Sequence, residues 1–144
     1  MARYTTTVAT NWSADEAFNY MADLRNFEEW DPGVKSSKIV TGDTAGLGVE
    51  YDVTVGFTTL RYVTKEFQKP RRAVVEAKSP VLRSYDVIEI AETSNGCEVT
   101  YDAILELNGP LKLADPLLGL VFARIGDKAS AGLVKALSGT KVSS

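Results

Sequence analysis

The stretch from Asp115 to Gly139 constrains this chain more than any other. It reads as one amphipathic helix of about 23 residues, roughly 34 Å long at 1.5 Å per residue. Asp115 suits the N-cap, Pro116 the first helical position and Gly139 the far end. Leu118, Val121, Phe122, Ile125, Ala129, Gly132, Leu133 and Ala136 recur on one side at helical spacing, and Leu117 and Leu120 widen that side near the start. Arg124, Asp127, Lys128 and Lys135 fall opposite. A helix of this kind is unstable alone in water and needs a large apolar partner surface. Gly119, Gly126 and Gly132 interrupt it, each at a cost of about 1 kcal/mol relative to Ala. Glycines here allow a strand to come close, or leave room for something that is not protein.

The rest of the chain offers a run of strands as that partner. Tyr4 to Asn11 is rich in Thr and Val and reads as a first strand. Ser13-Ala14-Asp15-Glu16 is a capping box that starts a helix with Ala14, Ala17, Phe18, Met21 and Ala22 on one face. Asp23 caps a second short helix presenting Leu24, Phe27 and Trp30, which Asp31-Pro32-Gly33 ends. From Val34 the period becomes two. Strands are expected over 34–41, 49–55, 60–67, 72–78, 82–93 and 97–108, with Thr140 to Ser144 frayed. Short turns between them imply an antiparallel meander. Taking Phe57-Thr58, Ser79-Pro80 and Asn95-Gly96 as the turns pairs Val53 with Tyr62, Glu76 with Arg83 and Ile90 with Tyr101. It also sets Glu50 against Lys65 on the outer face. All three turns then give the same inner face. A slip of one residue would invert every side chain.

Composition closes several routes to function. The chain contains no histidine, which removes His-based acid–base chemistry, Ser-His and Cys-His nucleophile pairs and most transition-metal sites. No metal and no cofactor are expected. Net charge is −3 and the only basic pair is Arg71-Arg72, so no nucleic-acid partner is expected. The glycines at 42, 46 and 48 are followed by neither Lys-Ser/Thr nor a helix, so turn chemistry explains them better than a phosphate cradle. The single Cys97 cannot form an internal disulfide and fits a reducing compartment. There is no signal pattern, and no apolar stretch of about 18 residues that would span a membrane. The expectation is one cytoplasmic domain over residues 1–144.

The order of elements, and the text of several motifs, resemble a known family. The motifs are Trp12-Ser13-Ala14-Asp15-Glu16-Ala17-Phe18, Met21-Ala22-Asp23, Phe27-Glu28-Glu29-Trp30-Asp31-Pro32-Gly33-Val34 and Gly48-Val49-Glu50-Tyr51. They continue with Lys69-Pro70-Arg71-Arg72, Asn95-Gly96-Cys97-Glu98-Val99-Thr100-Tyr101 and Pro116-Leu117-Leu118. Over nearly the whole chain these resemble the START-like (SRPBCC) superfamily, in its polyketide cyclase/dehydrase and lipid transport branch. The resemblance implies an α+β helix-grip fold. In it a seven-stranded curved antiparallel sheet carries two short helices, and a long C-terminal helix lies across its concave face. It also implies a cavity between helix and sheet that takes an apolar small molecule or a lipid. One scaffold in this superfamily serves carriers, cyclases and other functions, so the resemblance speaks for fold more than for activity.

Combined with the strand faces, that cavity would be lined by Tyr51, Val53, Tyr62, Val75, Ile88, Tyr101 and Leu105 from the sheet. Leu118, Phe122 and Ile125 would face them from the helix, with Trp30 over the entrance or plugging helix to sheet. Asp86 falls on the inner face, where burial would raise its pKa and suit it to acid–base work. Three functions follow. The first is binding of a hydrophobic ligand. The second is a polyketide cyclase or dehydratase using Asp86 with Tyr62 or Tyr101. The third is an interaction module presenting Val63, Phe67, Val87 and Ile104 on the outer face, where a homodimer contact is an equal explanation. Glu28, Glu29 and Asp31 read as a solvated acidic face.

Overall fold

A computed structural model of the chain describes residues 2–143, apart from the side chains of 112–118 and 143. Strand β1 (Ala2–Thr10) leads to helix α1 (Ala14–Ala22), a 3-10 turn (Leu24–Asn26) and the one-turn helix α2 (Phe27–Trp30). Strands β2 (Val34–Thr41), β3 (Glu50–Val55), β4 (Thr58–Gln68), β5 (Arg72–Lys78), β6 (Leu82–Thr93) and β7 (Gly96–Leu107) follow. Helix α3 (Asp115–Ala136) and strand β8 (Thr140–Ser143) close the chain. The sheet is antiparallel in the order β2-β3-β4-β5-β6-β7-β1-β8, which is the helix-grip arrangement with one strand more than expected. Among the described residues no helix is long and apolar enough to cross a membrane.

Local signals explain the helix ends. The Ser13 hydroxyl accepts from the Glu16 amide at 3.1 Å and the Glu16 carboxylate accepts from the Ser13 amide at 3.2 Å, closing the capping box. Asp23 accepts from the Arg25 amide at 3.1 Å and starts the 3-10 turn. At the far end of α3, Ser138 adopts φ +49°. The Gly139 amide donates to the Val134 carbonyl and the Ser138 amide to the Lys135 carbonyl. This is a Schellman motif whose left-handed residue is Ser138, where Gly139 was expected to close the helix. Gly139 serves a different need, because a Cβ there would overlap the Ala9 carbonyl oxygen. The chain therefore turns tightly onto β1, and Thr140 and Lys141 pair with Ala9 and Val8 instead of fraying.

The three turns differ from expectation in one consistent way. The β3–β4 turn is Gly56-Phe57, the β6–β7 turn is Ser94-Asn95, and Lys78 pairs with Arg83 around a longer β5–β6 loop. Each shifts the partners by two residues, so Tyr51 faces Tyr62, Glu76 faces Tyr85, and Ile88 faces Tyr101. A shift of two preserves the face of every side chain. Gly96 is excluded from the turn because it lies against β1, where a Cβ would overlap the Thr10 carbonyl oxygen. One irregularity does change faces. Pairing of β4 with β5 jumps between Thr64 and Glu66, so Lys65 is bulged out of the ladder and Phe67 turns inward onto Phe18 at 5.1 Å. The two-residue shift at the β3–β4 turn sets Glu50 against Val63 instead of Lys65, and the bulge takes Phe67 out of the expected outer patch. Val87 in that patch is itself buried.

The core runs between the inner face and α1, the 3-10 turn, α2 and the C-terminal half of α3. Helix α3 is seated unevenly. Ala129, Ser130 and Leu133 are fully covered, whereas Val121 and Ile125, on the same apolar side, are 47 % and 44 % exposed. The seat is built from small residues. A Cβ at Gly132 would overlap the Trp30 carbonyl oxygen, and one at Gly126 the Tyr4 ring. Thr6 and Ser130 hydroxyls lie 2.7 Å apart, and the Thr10 hydroxyl donates to the Leu137 carbonyl at 2.7 Å.

Candidate functional site

Where α3 lifts from the sheet a cavity of ≈ 220 Å³ remains. Its sheet wall is hollow because small residues share the inner face with large ones. Ser84 lies between Ala77 and Leu105 in the ladder, and Asp86 between Val75 and Ala103. The exposed Val55, Thr58, Gly33 and Ile125 mark the mouth, at the β3–β4 turn and the middle of α3.

Of the expected site residues, Tyr62, Asp86, Tyr101, Leu105, Phe122 and Ile125 come together around this space. Trp30, Tyr51, Val53, Val75 and Ile88 do not line it. They are buried in the core, because α1 and the α2 segment fill that half of the concave face. Trp30 is 3 % exposed. Its ring stacks on Phe27 at 5.0 Å and meets Tyr101 edge-on at 5.0 Å, so it backs the cavity wall rather than roofing the entrance. Leu118 lies outside the described side chains.

The polar groups in the cavity are few. Asp86 is 3 % exposed. The Tyr101 hydroxyl donates to its Oδ2 at 2.8 Å and is its one hydrogen-bond donor among the described residues. Burial pushes the Asp86 carboxyl up to about 7; the Tyr101 hydrogen bond opposes this, while the charges of Asp31 and Asp102 add to it. Tyr62 and Ser84 hydroxyls lie 2.7 Å apart. Burial holds the Tyr62 and Tyr101 hydroxyls well above their ordinary range, so both stay protonated at neutral pH.

Asp31 corrects the expected solvated acidic face. It lines the cavity at 8 % exposure, its Oδ1 accepting from the Gly33 amide at 2.9 Å, and burial raises its pKa. Glu28 and Glu29 are exposed as expected, with Glu28 accepting from the Ser37 amide at 3.0 Å. The Asp-Pro-Gly sequence signals the turn at Asp31. That the turn points its carboxylate inward depends on where α2 docks. Phe27, Leu60 and Leu82 also line the space, and no local pattern singles them out. Among the described residues no group of His, Cys, Asp or Glu is arranged to hold a metal ion. Chemically, the arrangement is an apolar recess with one carboxyl that changes charge near neutrality, a second buried carboxyl, and Tyr and Ser hydroxyls.

A curved antiparallel sheet gripping a long helix over an internal recess defines the START-like class of domain. The family model described as polyketide cyclase / dehydrase and lipid transport matches residues 1–138, and the chain belongs to that family. Solved structures share the fold at low identity. A START superfamily protein from Mycobacterium smegmatis is 13 % identical with a TM-score of 0.71, covering 96 % of this chain and 98 % of that one. The XoxI protein of Bacillus cereus is 18 % identical with a TM-score of 0.70, covering 95 % and 96 %. A hypothetical protein from Helicobacter pylori is 10 % identical with a TM-score of 0.75, covering 94 % and 86 %. No curated protein matches the sequence.

Proposed function

We propose that the protein binds a small, mostly apolar molecule in this cavity, with Tyr62, Asp86, Tyr101, Leu105, Phe122 and Ile125 in contact with it. The observation that carries this reading is the ≈ 220 Å³ recess walled by apolar side chains, with a few polar groups converging at one side. Burial of ligand surface, at about 25 cal/mol per Å², supplies the affinity, and the Asp86–Tyr101 and Tyr62–Ser84 pairs orient the polar end. An apolar cavity of about 150 Å³ accepts benzene. The fit is therefore one ring with a short arm, and a membrane lipid is too large to be enclosed. Thermal denaturation with a graded set of such molecules tests the reading. Ligand at ~100 times Kd should add about 2.7 kcal/mol of stability, several degrees in Tm. No shift with any ring-sized apolar molecule would remove the proposal.

The Asp86 carboxyl, at about 7, supports a second reading as a cyclase or dehydratase. Asp86 would take a proton from a carbon beside a ketone while the Tyr62 hydroxyl donates to the carbonyl oxygen, the Tyr101 proton being engaged by Asp86. An Asp86→Asn variant that binds the substrate normally and retains full turnover would eliminate this reading.

A further inference from the structure

We infer that the cavity selects a small amphiphile whose polar end is a protonated amine. This deepens the ligand-binding reading above and rests on it. Asp86 and Asp31 both line the recess, and its described lining residues include no Lys or Arg. Two buried carboxylates without a counter-ion are an uncommon arrangement, because a buried charge is ordinarily paired. Asp31 is held by the Gly33 amide, and Asp86 by the Tyr101 hydroxyl through one oxygen. The other oxygen of Asp86 has no donor among the described residues. A ligand ammonium group supplies both the missing charge and the missing donors.

The groups facing Asp86 favour the same sign. Strand β4 presents the Tyr62 hydroxyl, β7 the Tyr101 hydroxyl, and the end of α2 the Asp31 carboxyl. Strand β5 presents Val75, and the described part of α3 presents Phe122 and Ile125, none of them charged. Asp102 acts from the outer face, where Arg3 binds it at 2.7 Å. Lys35 stands near the mouth, over the Phe57 ring at 5.4 Å. The rings of Phe27, Tyr101 and Phe122 line the space, and aromatic faces attract a cation. A fatty acid or other anion would instead meet two buried carboxyls and no lining Lys or Arg to pair with it.

Isothermal titration of the full chain with phenethylamine, phenethyl alcohol and ethylbenzene tests this. At about pH 7.5 the amine should bind at least ~10-fold tighter than the alcohol of the same shape. Its affinity should rise from about pH 5.5 to 8, with proton release on binding in the lower half of that range, read as a dependence of the heat on buffer ionisation enthalpy. Asp86→Asn keeps the side-chain shape and an acceptor for Tyr101, and should erase both the preference and the proton release. Its melting curve reports whether it is folded. The wild-type proton release stands as a test that needs no variant. Alcohol or hydrocarbon binding as tightly as the amine overturns the inference and leaves ligand binding intact. An amine preference that persists in folded Asp86→Asn also overturns it. Failure of all three probes to bind removes the ligand-binding reading and this inference together.

Discussion

Ionising Asp86 costs the folded protein more than the unfolded chain. Its folded pKa, about 7, lies above the ordinary 3.8, so between those values the folded state holds more protons. Stability from this group is complete below about pH 4 and is lost as pH rises through 7. The loss is of order 4 kcal/mol at most. Asp31, also raised, slopes the same way. Asp52 and Asp102 act oppositely: hydrogen bonds from Arg61 and Arg3 hold them below their ordinary range, and their contribution is lost as pH falls below about 4. Urea denaturation should therefore find maximal stability near about pH 5, and Asp86→Asn should be more stable than wild type at pH 8 and little changed at pH 4. Equal stability of the two at pH 8 would contradict the burial argument. Tyr101→Phe should cost about 1–3 kcal/mol, more at pH 8 than at pH 5, because the ionised carboxylate depends more on the donor.

At the scale of elements, α3 makes opposite predictions for two of its glycines. Gly119 has open space where a Cβ would go, so Gly119→Ala should gain up to about 1 kcal/mol from helix propensity. Gly132→Ala must push the helix off the Trp30 carbonyl oxygen and should lose at least about 2 kcal/mol despite the same propensity gain. Melting temperatures of the pair decide the matter, and like signs would refute the uneven seating. Ser138 holds φ +49° without being glycine. Ser138→Gly should add roughly 0.5–1 kcal/mol, measurable in the same way.

Across the whole molecule, the cavity follows from how one long helix is anchored. Its C-terminal half is tied to β1 through Thr6 and Thr10 and to α2 through the Gly132–Trp30 contact. Its earlier turns stand away from the sheet. The void is thus a consequence of rigid geometry, and filling it need not disturb the anchor. Ala103→Leu should abolish binding of a ring-sized ligand in calorimetry while leaving Tm unchanged or higher, since the added methyl groups enter empty space. A strongly lowered Tm would mean that the recess has no room to spare.

Patterning and local motifs determined the element order through α3, the capping of α1, the inner faces of β3, β5, β6, β7 and of β4 up to its bulge, and the inward placement of Asp86, Tyr62 and Tyr101. These survive because a displacement of two residues in pairing leaves every side chain on its own face. Tertiary structure decided the rest. The bulge at Lys65 turns Phe67 inward, and close packing against Ala9 converts an expected frayed end into β8. The docking of α2 buries Asp31 and fills the space around Tyr51, Val53, Val75 and Ile88. A periodic pattern states which way a side chain points. Whether the space it points into is occupied depends on residues distant in the chain, and only the assembled packing carries that information.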